Sequence, residues 1–184
     1  MWALSTSGGG ASYHHGDLRR GLIAAGQDLL RSGGVEAVSF REAARLAGVS
    51  HNAPYRHFPS REALLAALAT EGFLALHRAL DRAAGEARPP DRLTALGRAY
   101  LRFAEGDRAT FRLMFGGTLD RAAHPDLAEA SAAAFGTLRG AVAEREPSAS
   151  AHRDALRAWA LVHGLAHLVA DRQIEAAQAE ACLV

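Results

Sequence analysis

The chain has no lysine: its 21 basic residues are all arginine. A phosphate loop of the GxxxxGK type is therefore impossible, and the GGG at residues 8–10 sits in a tail with no strand before it. GxSxG does not occur, and no nucleophile stands beside a base and no carboxylates pair up, so nothing points to an enzyme or to a bound cofactor. One cysteine, Cys182, excludes an internal disulfide and suits a reducing compartment; no role is assigned to it. No stretch approaches roughly 18 uncharged apolar residues, and the N-terminus lacks the charged-then-apolar run of a secretory signal. The expectation is a cytoplasmic protein with no membrane partner. Period-two alternation is absent too, which leaves an all-α chain.

What is present is ordinary globular material, 49% hydrophobic and 22% charged over 184 residues, enough for one sizeable core or two small ones. The net charge of +1 conceals an asymmetry. Residues 1–61 carry seven Arg against four acids, while residues 62–184 carry fourteen against sixteen. The all-arginine basic set favours forked phosphate contacts, and it is equally what a codon bias would leave.

The stretch SFREAARLAGVSHNAPYRHF, residues 39–58, organises the rest. Ser39 followed by Glu42 reads as a capping box opening a helix at Phe40. Phe40, Ala43, Ala44 and Ala47 recur at helical spacing, and Gly48 gives the backbone freedom to turn. Val49 plugs the turn, Ser50 is a second N-cap candidate, and HNAPYRHF continues as a short helix with Pro54 in its first turn. This is a helix-turn-helix. His51 and Asn52 lie at the end of its second helix that reaches base edges, and Asn can pair bidentately with adenine; Tyr55, Arg56 and His57 follow. Geometry alone leaves open that the motif is merely architectural in a helical interaction module.

Around it, Leu18, Leu22, Ala25, Leu29 and Leu30 mark an amphipathic helix over about Asp17–Arg31, stopped by Gly33 and Gly34, and residues 1–12 read as a disordered arm. Ser60 caps a long helix from Arg61 to about residue 86, longer than a three-helix head over residues 13–60 requires, so it is expected to link two domains. ARPPD, residues 87–91, breaks it. Four further helices are expected at about Asp91–Glu105, Asp107–Phe115, Pro125–Arg145 and Ser150–Ala170, and residues 171–184 are either a short helix or a frayed tail. In the third, Ala128, Ala132, Gly136 and Gly140 form a small-residue stripe; two interior glycines cost roughly 2 kcal/mol against Ala, so close packing is their expected reason.

Trp159, His163 and His167 share one helical face. The histidines have zinc-ligand spacing, but without the Glu of HExxH or a third ligand no metal site is assigned. With Phe103, Phe111, Met114 and Phe115 they would line an apolar cavity offering imidazole and indole donors to a small molecule.

GVSHNAPYRHFPSREALLAAL resembles the signature of the TetR family of transcriptional regulators, and YHHGDLRRGLIAAGQDLLRSGG resembles that family's first helix. WALVHG, residues 159–164, resembles the Trp-His-Gly ligand-binding domain found behind some of these heads. The resemblance implies a three-helix DNA-binding head followed by a helical-bundle ligand-binding and dimerisation domain. It also implies a homodimer paired through its last two long helices, a repressor on double-stranded palindromic DNA, and release by a small-molecule effector. It implies that His51, Asn52 and Arg41 read bases while Tyr55, His57 and Arg61 hold phosphates, with Ser39 and Ser50 at the caps completing the DNA-binding set.

Overall fold

Gly34 ends the first helix by taking φ +70°, a conformation residues with a Cβ rarely adopt. The structure, a computed structural model, describes residues 15–145 and 150–183, and among these the chain forms helices and turns without a strand. α1 spans His15–Ala37 with its kink at Gly34, so a short helical turn follows the expected stop. The arm over residues 1–12 lies outside the described residues.

α2, Phe40–Leu46, begins where Ser39 Oγ accepts the Glu42 N–H at 3.2 Å. Only half of the expected capping box forms, because the Glu42 carboxylate turns instead to Arg45 at 2.8 Å. Gly48 makes the turn at φ +67°. The second helix of the motif is tighter than expected: residues 51–53 are a turn, and Pro54–Arg56 is a single 3-10 turn. Proline explains this. It has no N–H to give to a carbonyl four residues back, so the chain closes three-residue bonds, Ala53 N–H to Ser50 O at 2.9 Å and Arg56 N–H to Ala53 O at 3.2 Å. Pro54 and Phe58 are buried and pin this turn to the head, with the Arg19 guanidinium 5.4 Å above the Phe58 ring.

α3, Arg61–Glu86, starts where Ser60 Oγ accepts the Ala63 N–H at 3.1 Å. At 1.5 Å per residue it is about 39 Å long and serves two cores. Leu68 packs over Gly26 of α1, whereas at Gly72 a Cβ would lie 2.6 Å from Met114 and Thr110. By length and mean hydropathy α3 could cross a membrane, although charges interrupt it and half of its apolar window is buried in the fold.

Behind the head lie α4 (Arg92–Gly106), α5 (Arg108–Phe115), α6 (Pro125–Arg145) and α7 (Ala151–Ala170), close to the expected bounds. The tail resolves as a helix, α8 (Ala176–Ala181), opened by a capping box between Glu175 and Gln178. It closes on α4: Thr94 Oγ1 donates to the Leu183 carbonyl at 3.1 Å, and Gly97 leaves room for the Leu183 side chain. Asp107 ties head to body. Its carboxylate caps α5 by accepting the Thr110 N–H at 3.0 Å and accepts the Arg31 Nε of α1 at 3.2 Å. The stripe on α6 is open along its glycines, for a Cβ at Gly136 or Gly140 would meet nothing within 4 Å.

Candidate functional site

The turn at Gly48 leaves Arg41, Ser50, His51, Asn52, Tyr55 and Arg56 exposed on one end of the head, with Ser39 and His57 partly covered. Asn52 and His51 occupy the turn ahead of the 3-10 segment rather than a continuous helix. Tyr55 is 63% exposed and stands edge-on to Phe40 at 4.9 Å. Ser50 contributes its carbonyl to the turn.

Arg61, expected to hold a phosphate, also makes contacts within the head. Its Nε donates to the Val38 carbonyl at 2.6 Å and its Nη2 to the Val35 carbonyl, so it clamps the α1–α2 connection onto the start of α3. Charged donors to backbone carbonyls are worth about 1.5–3 kcal/mol each before solvent screening. Arg61→Ala should therefore lower the melting temperature of the head and weaken binding to all DNA sequences alike. Unchanged melting with weaker DNA binding would return Arg61 to a purely phosphate-holding role.

In the body, α3, α4, α6 and α7 border a partly open cavity of about 470 Å³, within the range of drug-sized sites. Phe73, Leu76, Tyr100, Phe135, Leu138 and Trp159 form much of its wall, and Phe115 and Arg121 also line it. Of the residues singled out from sequence, Phe115 and Trp159 reach this lining. His163 stands just behind, stacked on Trp159 at 5.1 Å and edge-on to Phe115 at 4.6 Å. His167 and Phe111 form a further layer, their rings 4.9 Å apart. Met114 is buried beneath Gly72 between α3 and α5. Phe103 is not brought to the cavity: it lines a separate cleft with Ala99 and Arg102, one turn beyond Tyr100. Tyr100, Arg121 and Phe135 were not singled out, because nothing in periodicity tells which helix will face them.

A hydrogen-bonded chain crosses the back of the cavity. The Tyr100 hydroxyl meets His163 Nδ1 at 2.9 Å, and His163 Nε2 meets His167 Nε2 at 3.2 Å. Two neutral imidazoles satisfy this chain if each gives one proton along it. Burial raises the Tyr100 hydroxyl above the usual phenol range, against smaller lowering effects of the Trp159 indole and the Arg121 guanidinium. Burial also lowers the His163 imidazole to about 4, helped by His167 and Arg121. An unfolded His163 would bind its proton near 6.5 and the folded one only near 4. Its contribution is thus fully present above pH 6.5 and is lost as pH falls toward 4. Melting temperature should drop between pH 6.5 and 5, more steeply than in His163→Gln; equal slopes would assign the drop to other groups.

Residues 22–68 match the family model described as bacterial regulatory proteins, tetR family, and residues 93–183 match the tetracyclin repressor-like C-terminal domain. Together these span most of the chain, head and body alike. The protein belongs to the TetR family. As a TetR-family member it is a DNA-binding transcriptional regulator, and its exposed turn at residues 50–56 lies in the matched head. A protein of unknown function from Rhodococcus sp. RHA1 is 40% identical with a TM-score of 0.81, covering 94% of this chain and 92% of that one. A putative TetR-family regulator from Rhodococcus sp. shares the fold at 21% identity and a TM-score of 0.72, over 90% of this chain and 94% of the other. FadR from Bacillus subtilis, solved in complex with stearoyl-CoA, shares it at 15% identity and a TM-score of 0.70, over 90% and 97%. Among curated proteins the chain has no match.

Proposed function

We propose that this TetR-family regulator is a cytoplasmic repressor, working as a homodimer on a palindromic operator and released when a small molecule fills the cavity behind its head. The observation that carries the reading is the position of α3: it begins at the DNA-facing turn and supplies Phe73, Leu76 and Leu80 to the cavity wall. A ligand that favours one placement of α3 must change how the head is presented, and the coupling is reciprocal. FadR, a neighbour in fold, holds stearoyl-CoA, which is in keeping with an amphiphile as effector here.

Pairing has its own support. On α7 the large apolar residues Leu161 and Leu168 are exposed at 51% and 37%, on the side of Gly164, whose Cβ position is open, with Leu161 also reaching the rim of the cavity. Together with the open glycines of α6 this is a face suited to a second copy, as in a four-helix bundle. Two heads are also what a short recognition turn needs, since two-fold pairing lets it read half-sites about one helical turn or more apart.

Within the head His51, Asn52 and Arg41 are the proposed base readers; Tyr55 and His57 hold phosphates, and Ser39 and Ser50 shape the turn. Selection from random DNA tests this. The unsubstituted chain should enrich a two-fold-symmetric sequence, and Asn52→Ala should lose about 1–3 kcal/mol of discrimination at one position in each half-site. Enrichment of an asymmetric sequence, or an unchanged preference in Asn52→Ala, would contradict the assignment.

A further inference from the structure

The cavity wall is apolar except at a few points, and its charge has one sign. No carboxylate lines it, whereas two arginines do, Arg121 and Arg145. Arg121 sits in the 3-10 turn before α6, exposed at the cavity's edge. Its Nη2 donates to the Met114 carbonyl at 3.1 Å, and its guanidinium lies 5.3 Å from the Phe73 ring centre and 6.0 Å from that of Phe115. The carboxylate of the preceding residue is engaged elsewhere, Asp120 accepting the Ala122 N–H at 2.9 Å. The guanidinium is therefore held in place by a carbonyl and two ring faces, with donors remaining and no anion to meet them among the described residues.

We propose that the effector is a monoanionic amphiphile, an apolar body bearing one carboxylate, with the carboxylate held by Arg121 and the body laid among Leu76, Phe135, Leu138 and Trp159. This rests on the effector reading above. A planar fork matches a carboxylate bidentately, and an apolar body that displaces water from beside the guanidinium makes an unpaired charge costly, so a neutral ligand is at a disadvantage. A cation would meet like charge. A dianion would keep one charge uncompensated, because Arg145 lies at the opposite end of α6, about 30 Å away along 21 residues. The polar chain of Tyr100, His163 and His167 contains no carboxylate and offers the anion no competing negative group.

The test uses the full chain with Trp2→Phe, so that Trp159 is its sole indole, titrated by fluorescence with laurate, dodecan-1-ol and dodecylammonium below their micelle concentrations. Laurate should bind at least about tenfold more tightly than the alcohol, and dodecylammonium least tightly, as a charge-assisted pair requires. Arg121→Gln should abolish the advantage of laurate while leaving dodecanol unchanged, and Arg145→Gln should preserve it. If Arg121→Gln melts abnormally, Arg121→Lys replaces it and should retain most of the advantage. Equal binding of laurate and dodecanol to the Trp2→Phe chain overturns the proposal, as does an advantage that survives Arg121→Gln or disappears in Arg145→Gln. Binding by none of the three removes the effector cavity itself, and the proposal with it.

Discussion

Phe111→Ala is expected to cost the C-terminal bundle about 3–5 kcal/mol, the usual penalty for deleting a buried aromatic ring. Phe111 is fully buried, and its ring lies 6.1 Å from Tyr100, 5.0 Å from Phe115 and 4.9 Å from His167. Its loss would leave a void directly behind the cavity, with the Tyr100–His163–His167 chain as one wall. For a domain of ordinary net stability, roughly 5–15 kcal/mol, that is a large share. Chemical denaturation measures it, with Phe111→Leu expected to lose less than half as much because most of the volume is kept. A loss below about 1 kcal/mol for Phe111→Ala would mean that the ring does not hold α5 against α7.

The second large effect is functional. Trp159→Ala should leave DNA affinity nearly unchanged without ligand and strongly impair release. Trp159 is only partly buried, and it forms the cavity face between His163, stacked at 5.1 Å, and Phe135, edge-on at 5.9 Å. Reversing a regulator from 99:1 bound to 1:99 needs about 5.5 kcal/mol of ligand preference for the released state, and a buried indole is among the largest single sources of such contact energy. Titrating operator DNA against the variant with and without laurate, beside a melting curve, decides the matter. A folded variant that still lets go of DNA normally would place the effector contact elsewhere.

Local chemistry was legible in the sequence; the approach of distant segments was not. Ser39, Ser60 and the ARPPD stretch marked boundaries that the structure respects, because caps and prolines act on the backbone within a turn of themselves. Gly34 and Gly48 likewise take the positive φ their positions invited. Pro54 was read as compatible with a helix start, and it is, but its missing N–H reduces the second helix of the motif to one tight turn. Arg61 was expected to hold a phosphate; that its guanidinium also meets the Val35 and Val38 carbonyls depends on how α1 and α2 pack, which spacing does not show. Spacing put Trp159, His163 and His167 on one face, yet only packing shows that Trp159 lines the cavity while His163 and His167 brace it. Arg121 carries no signal at all in a periodic reading; its place depends on a turn, a carbonyl from α5 and rings from α3 and α5.

Everything turns on whether the exposed turn at residues 50–56 reads DNA. The direct measurement is a band-shift titration of the full chain on DNA flanking its own gene against random DNA of equal length, at two salt concentrations. A specific site should bind about a thousandfold or more tightly than the random duplex, two chains to a duplex, with both affinities falling steeply as salt rises. Equal affinity for the two DNAs, or no shift of either, would contradict the account.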